Sequence, residues 1–250
     1  MHFPFSIQIG NISFLLHPVA ETLGIFIGFR YFLYLRKKSG DALDPGNRVW
    51  VVIGALFGSL AGSRLIGGFE DIKALKETSN LWLHFYQNKT VLGGLIGGLA
   101  GVELIKKWIG EKKASGDLFV YPFLLALIIG RLGCFSMGVF EETYGTTTNS
   151  IFGMNLGDGL SRHPVTLYEI LFLGALWIGL KVVSKRKNLA NGALFKLFMI
   201  AYFLFRFFLD FIKPHYTFNI GFSTIQLTCI AGLIWYGRFI VQPKKLIFTT

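Results

Sequence analysis

Gly130-Arg131-Leu132-Gly133-Cys134-Phe135 places an arginine in an apolar run that is uncharged from Leu118 to Ile129. A run of this length reads as a membrane-spanning helix, which needs roughly 20 apolar residues. An ionisable side chain at membrane depth costs about 2.5–3.5 kcal/mol on insertion scales, and it usually faces a bundle interior or a watery cavity. Arg64, after Ile53–Gly62, and Arg206, inside Leu197–Ile212, repeat the pattern. Three cations in apolar settings point to a pocket for an anion, and in a bilayer the abundant anion is a lipid phosphate.

The rest of the chain fits that setting. Of 250 residues, 52% are hydrophobic and only 16% charged, whereas a soluble domain carries about a quarter charged residues. We read an all-α polytopic membrane protein with one integral membrane domain over residues 1–250. Seven stretches are long and apolar enough to span: 14–35, 49–66, 90–108, 118–138, 165–183, 192–212 and 221–241. Met1–Asn11 lacks a basic region, so the first span is expected to remain as an anchor. Cys134 and Cys229 sit in apolar spans without CxxC or Cys/His spacing. That gives no disulfide framework and no metal motif, and no cofactor is expected.

The net charge of +11 would fit nucleic acid, but its distribution argues against that. With the N-terminus outside and the C-terminus cytoplasmic, seventeen of the 25 Lys and Arg residues fall on the inner side, from Arg30 to Lys245. This is the positive-inside rule, so the basic charge reports topology. Arg64, Arg131 and Arg206 then all lie toward the outer ends of their helices. Two substantial outer loops, near 67–89 and 139–164, are placed to roof that region.

Several residues near that depth carry chemistry. Arg131 offers planar, bidentate donors that suit a phosphate, although an arginine can also snorkel to the interface. The glycines beside it, Gly133 included, permit close backbone approach. Arg206 and Asp210 share a helix face at i, i+4, as a structural ion pair or as an oriented arginine at a site. His163-Pro164 opens the fifth span, with Tyr168 and Glu169 following on adjacent faces. A histidine titrates near neutral pH and suits proton transfer. Glu141 and Glu142 are paired carboxylates that either share a proton or line a solvated entrance. Gly93, Gly94, Gly97, Gly98 and Gly101 repeat the small-xxx-small pattern of tight helix packing. Gly93 and Gly94 also fall at a helix N-terminus, where free N–H groups favour an anion. Glu21 remains open, Glu103 is expected to pair with Lys106 or Lys107, and Gly157-Asp158-Gly159 reads as a turn.

At these residues the chain resembles the bacterial prolipoprotein diacylglyceryl transferase family. The matching pieces are GSRL with Arg64, GGLIGG at 93–98, GRLGCF with Arg131, RHPVTLYE at 162–169 and FRFFLDF with Arg206 and Asp210. Their order and spacing match from the first span to the seventh. The resemblance implies a seven-span enzyme of the bacterial inner membrane with its N-terminus outside. It implies transfer of the diacylglyceryl group of phosphatidylglycerol to the lipobox cysteine of a prolipoprotein signal peptide. A thioether forms and glycerol phosphate leaves. In that reaction Arg131 and Arg206 stabilise the phosphate with Arg64, Asp210 orients Arg206, and His163 or Glu169 assists proton transfer. Gly93, Gly94, Gly133, Tyr168, Glu141 and Glu142 complete the substrate site.

Two departures fall on residues tied to catalysis in the family. The histidine that precedes GGLIG in many members is Leu92 here, and the asparagine of GRxGNF is Cys134. The carboxylate after that motif matches only loosely, to Glu141 or Glu142. Either another base replaces the histidine or the chain uses the same phosphate clamp with a different acceptor. A non-enzymatic lipid-binding or transport protein is the third reading. The one-sided charges and the lack of an internal repeat speak against it.

Overall fold

A computed structural model of the chain describes residues 3–10 and 12–247. A short antiparallel hairpin, β1 (Ser6–Ile9) and β2 (Ile12–Leu15), leads into α1 (Leu16–Ser39) and α2 (Pro45–Gly68). Two short helices, α3 (Ile72–Glu77) and α4 (Leu81–Gln87), precede α5 (Val91–Trp108) and α6 (Val120–Met137). A two-residue ladder of β3 (Met154–Asn155) and β4 (Ser161–Arg162) comes before α7 (Val165–Arg186) and α8 (Ala193–Leu209). The described chain closes with α9 (Thr224–Trp235) and α10 (Gly237–Val241).

Each of the seven apolar stretches contains a helix, the last one broken at Tyr236. Three helical segments, Pro45–Gly68, Asp117–Phe140 and Val165–Arg186, are long and apolar enough to cross a membrane by themselves. Bulky apolar side chains such as Phe26, Phe57, Leu171, Ile178 and Phe208 face outward, which a water-soluble surface rarely tolerates over large patches.

Local chemistry sets the helix ends. Asp44 accepts a hydrogen bond from the Gly46 N–H at 3.0 Å, with Pro45 in the first turn, the arrangement that suits an N-terminus. Ser223 and Gln226 form a reciprocal capping box at the start of α9, which satisfies two otherwise free donors.

Two helix pairs run closely together. Along α2 and α5, glycines face each other: a Cβ built on Gly62 or on Gly97 would lie 2.7 Å from the other residue's Cα. No side chain fits between these backbones. α1 lies on α6 in a similar way, with Gly133 against Ala20 and the backbone of His17. The buried core gathers Leu92, Leu124, Leu173, Phe198, Tyr202, Phe203 and Ile225 from α5 to α9. It lies beside the charged groups described next.

Candidate active site

The centre of the site is Glu169 on α7, buried to 1% exposure. Its Oε1 accepts from the Tyr202 hydroxyl at 2.9 Å, and its Oε2 accepts from Arg206 Nη1 at 3.2 Å. Arg131 Nε lies 2.8 Å from the same Oε2. Three helices, α6, α7 and α8, therefore bring two guanidinium groups onto one carboxylate. An unpaired charge in this environment would be costly, and such sharing makes burial tolerable. With two cations and one anion, the cluster keeps one unit of positive charge. Among the described residues, Arg206 Nε and Arg131 Nε are both buried without a geometrically formed hydrogen bond.

Arg131 reaches further through Nη1, which donates to Cys134 Sγ at 3.5 Å. Beyond the cysteine, His17 Nδ1 stands 2.7 Å from Glu141 Oε2. The chain delivers Glu141 there by leaving α6 through a 3₁₀ turn at Gly138–Phe140. Gly138 begins that turn at φ +59, and a Cβ would run into the Leu156 carbonyl oxygen. Glycine is the residue that this conformation accepts without strain.

Other candidates sit elsewhere. Arg64 donates to the Tyr86 carbonyl oxygen and lies over the Tyr86 ring at 5.0 Å. Among the described residues it makes no hydrogen bond or ion pair with the Arg131–Glu169–Arg206 cluster. His163 Nδ1 is 3.2 Å from the Tyr168 hydroxyl, a pair at the start of α7 that, among the described residues, makes no bond to the cluster. Glu142 is exposed. Gly93 is buried against Gly62 and Ile66 of α2, and Gly94 is half-buried, in ordinary contact range of Ser59 and Ser63 of the same helix.

The i, i+4 spacing holds as far as the backbone: Asp210 ends α8 with its N–H bonded to the Arg206 carbonyl oxygen, and Asp210–Ile212 continues as a 3₁₀ turn. Among the described residues its carboxylate makes no hydrogen bond or ion pair with the Arg206 side chain. Its Oδ2 instead accepts from the Ser223 hydroxyl and lies 3.6 Å from His215 Nδ1. Glu169, far away in sequence, is the carboxylate that holds Arg206. Lys213, just past that turn, sits 4.0 Å from Glu70. Burial and the neighbouring Arg206 push its ammonium below the ordinary lysine range.

Sequence reasoning passed over Tyr202 and His17. Tyr202 precedes Arg206 by one helical turn, a spacing that could have flagged it. His17 precedes Glu21 by one turn in LHPVAE, and their nearest atoms are 4.0 Å apart. Glu21, left open in the sequence, takes Lys89 at 3.0 Å, and Glu103 pairs with Lys106 at 3.1 Å.

The expected outer loop 139–164 is tied down by its main chain. Gly145 N donates to His163 O at 3.0 Å, His163 N to Thr146 O at 3.0 Å, and Thr146 N to Ile212 O at 2.8 Å. The Gly157-Asp158-Gly159 turn is a loop device in which Asp158 holds Arg162 at 2.7 Å. Desolvation raises the Asp158 carboxyl, but the bonds from Arg162 and the Leu160 N–H outweigh it and set the group below its usual range.

Comparison with known proteins places this geometry in context. The family model described as prolipoprotein diacylglyceryl transferase matches residues 4–241. The chain is 32% identical to the phosphatidylglycerol–prolipoprotein diacylglyceryl transferase of Finegoldia magna, over 96% of this chain and 95% of that protein. It is 28% identical to the protein of that name from Geobacter sulfurreducens, over 99% and 93%. The Ehrlichia ruminantium (strain Welgevonden) protein of that name is 27% identical over 84% and 83%. With nearly its whole length matched and its charged core built from the matching motifs, the chain belongs to the prolipoprotein diacylglyceryl transferase family.

Proposed function

We propose that the protein transfers a diacylglyceryl group from phosphatidylglycerol to the cysteine thiol of a prolipoprotein signal peptide. It works as a single domain of seven spans in the bacterial inner membrane, with the N-terminus outside and the C-terminus cytoplasmic. The observation that carries this reading is the sharing of Glu169 by Arg131 and Arg206. The shared carboxylate fixes both guanidinium groups before substrate arrives and leaves a net positive site. One unit charge 4 Å from an anion contributes about 4 kcal/mol at an effective dielectric of about 20. Donors held in place in this way stabilise charge growing on the departing glycerol phosphate, the largest single term in many enzymes. Glu169 acts as the counter-ion that positions the arginines. Asp210 bonded to Ser223 braces the end of α8 next to Arg206. Arg64, Gly94 and the His163–Tyr168 pair line the approach of lipid headgroup or peptide.

The test is mass spectrometry of a lipobox peptide incubated with purified protein and phosphatidylglycerol. A thioether-linked diacylglyceryl product is expected. Arg131→Ala should lower turnover by about 10²–10³-fold with membrane insertion retained, whereas Arg238→Ala, an exposed residue of α10, should leave it unchanged. Equal damage from both would remove the case for this site.

A second reading has its own support. Leu92, at the position of the family's histidine, is 1% exposed in the apolar core, and Cys134 stands at the asparagine position. A paralogue that uses the same phosphate clamp with another acceptor would consume phosphatidylglycerol without modifying the peptide. It would also fail to rescue a transferase-depleted bacterium.

A further inference from the structure

Next to the phosphate clamp lies a cluster to which the proposed transfer assigns no role. His17 from the first turn of α1, Cys134 from α6 and Glu141 after the 3₁₀ turn each present one donor atom, all within 4.8 Å of one another. Residues 117 positions apart in sequence show no metal-binding spacing, so only the fold brings them together. Among the described residues Glu141 Oε2 is buried and makes no hydrogen bond, although His17 Nδ1 is 2.7 Å away. On the other side of the imidazole, Nε2 faces Glu21 Oε2 at 4.0 Å, and Lys89 holds that carboxylate. At 4.0 Å the approach of Nε2 to Glu21 is a charge contact, longer than the hydrogen bond by which a carboxylate supports many ligating histidines.

We propose that His17, Cys134 and Glu141 bind a zinc-type divalent transition-metal ion with one coordination position open. Imidazole nitrogen, thiolate sulfur and carboxylate oxygen form a borderline-soft donor set, whereas Mg²⁺ and Ca²⁺ prefer oxygen alone. A thiolate and a carboxylate together would neutralise the dication. Ligand bonds of about 2.0–2.3 Å need only small side-chain adjustments from the present separations. Three protein ligands plus an open position is the pattern of a reactive site and not of a closed structural one. His17 and Glu141 keep 17% and 27% side-chain exposure, so the cluster can be reached.

The ion's role rests on the transferase reading above. The acceptor thiol takes the open position and loses its proton to water, because coordination deprotonates a thiol. The sulfur lone pair then forms a bond to the lipid glycerol carbon. The bond from that carbon to the phosphate oxygen breaks, and its electron pair leaves on glycerol phosphate beside Arg131 and Arg206. The product thioether carries no charge, binds the ion weakly and departs. No histidine at position 92 is required.

The experiment uses the full chain in detergent, stripped with a chelator and titrated with Zn²⁺ or Co²⁺, with circular dichroism to confirm folding. One ion per chain is expected, with a thiolate-to-cobalt charge-transfer band. Cys134→Ser should abolish that band. His17→Ala should weaken affinity by about 100-fold, and Glu21→Gln, acting through His17, by about 10-fold. Absence of stoichiometric binding by the folded chain, or a band that survives Cys134→Ser, overturns the site. Peptide transfer that persists unchanged after the ion is removed overturns its role while the transferase reading stands. Binding without any peptide transfer supports the site and counts against the transferase reading.

Discussion

The α2–α5 seam and the α6–α7–α8 centre hold helices together by opposite means. Along the seam, side chains are missing: Gly62 and Gly97 let the backbones meet where even a methyl group would collide. At the centre, side chains are long and charged, and Glu169 binds two arginines to itself. A membrane interior offers little hydrophobic drive between helices, so close packing and polar contacts remain as the sources of association. The seam uses the first and fixes shape; the centre uses the second and fixes charge. Function should therefore be lost at the centre before shape is, and shape at the seam before function is.

Glu169→Gln tests that division most severely. It leaves Arg131 and Arg206 buried without their counter-ion, and losing one partner of a buried pair costs about 3–5 kcal/mol. Turnover should fall to background and unfolding in detergent should occur at a lower denaturant concentration. A variant that kept both would end the view of Glu169 as the organiser. Gly97→Leu attacks the other region. Overpacking of this kind costs about 1–3 kcal/mol, seen as reduced thermal stability, while the fraction that stays folded should turn over at close to the normal rate. Tyr202→Phe sharpens the picture of the centre. It removes one hydrogen bond to Glu169 and should cost about 1 kcal/mol, with a modest drop in turnover.

The smallest effect lies outside both regions. Asp41, in the loop between α1 and α2, pairs with Arg48 and with Arg36 Nε at 2.9 Å. Burial alone would raise its carboxyl, but the bonds from Arg48 and the Leu43 N–H, with the two arginine charges, bring it below the usual range. The native state therefore holds this proton more weakly than the unfolded chain does. Its stabilisation is complete above the ordinary carboxylate value of about 3.9 and fades as pH falls through the lower native value. Thermal unfolding between pH 7 and pH 3 should lose less of this acid sensitivity in Glu142→Gln than in Asp41→Asn.

Much of the helical pattern was legible because an apolar run is a local property: each stretch from 14–35 to 221–241 contains a helix. The pairing of charges was legible only in part. That Arg131 and Arg206 meet follows from two arginines placed at similar depth on separate helices. That Arg64 turns to Tyr86 does not, because depth says nothing about which way a residue faces around its helix. The i, i+4 spacing sets Asp210 one turn beyond Arg206 but does not reveal that its carboxylate takes the Ser223 hydroxyl at the start of α9. His17, Cys134 and Glu141 were invisible as a group, since their proximity depends on α1 lying against α6 and on the turn at Gly138.

The main-chain bonds from Gly145 and Thr146 to His163 and Ile212 connect the segment after α6, the entry to α7 and the exit of α8. These are the helices that carry Arg131, Glu169 and Arg206. Peptide groups form this clasp, so its grip is largely independent of which side chains the loop displays. The rim can thus be recoloured to suit a different visiting peptide while the distances among the three charges below it stay put.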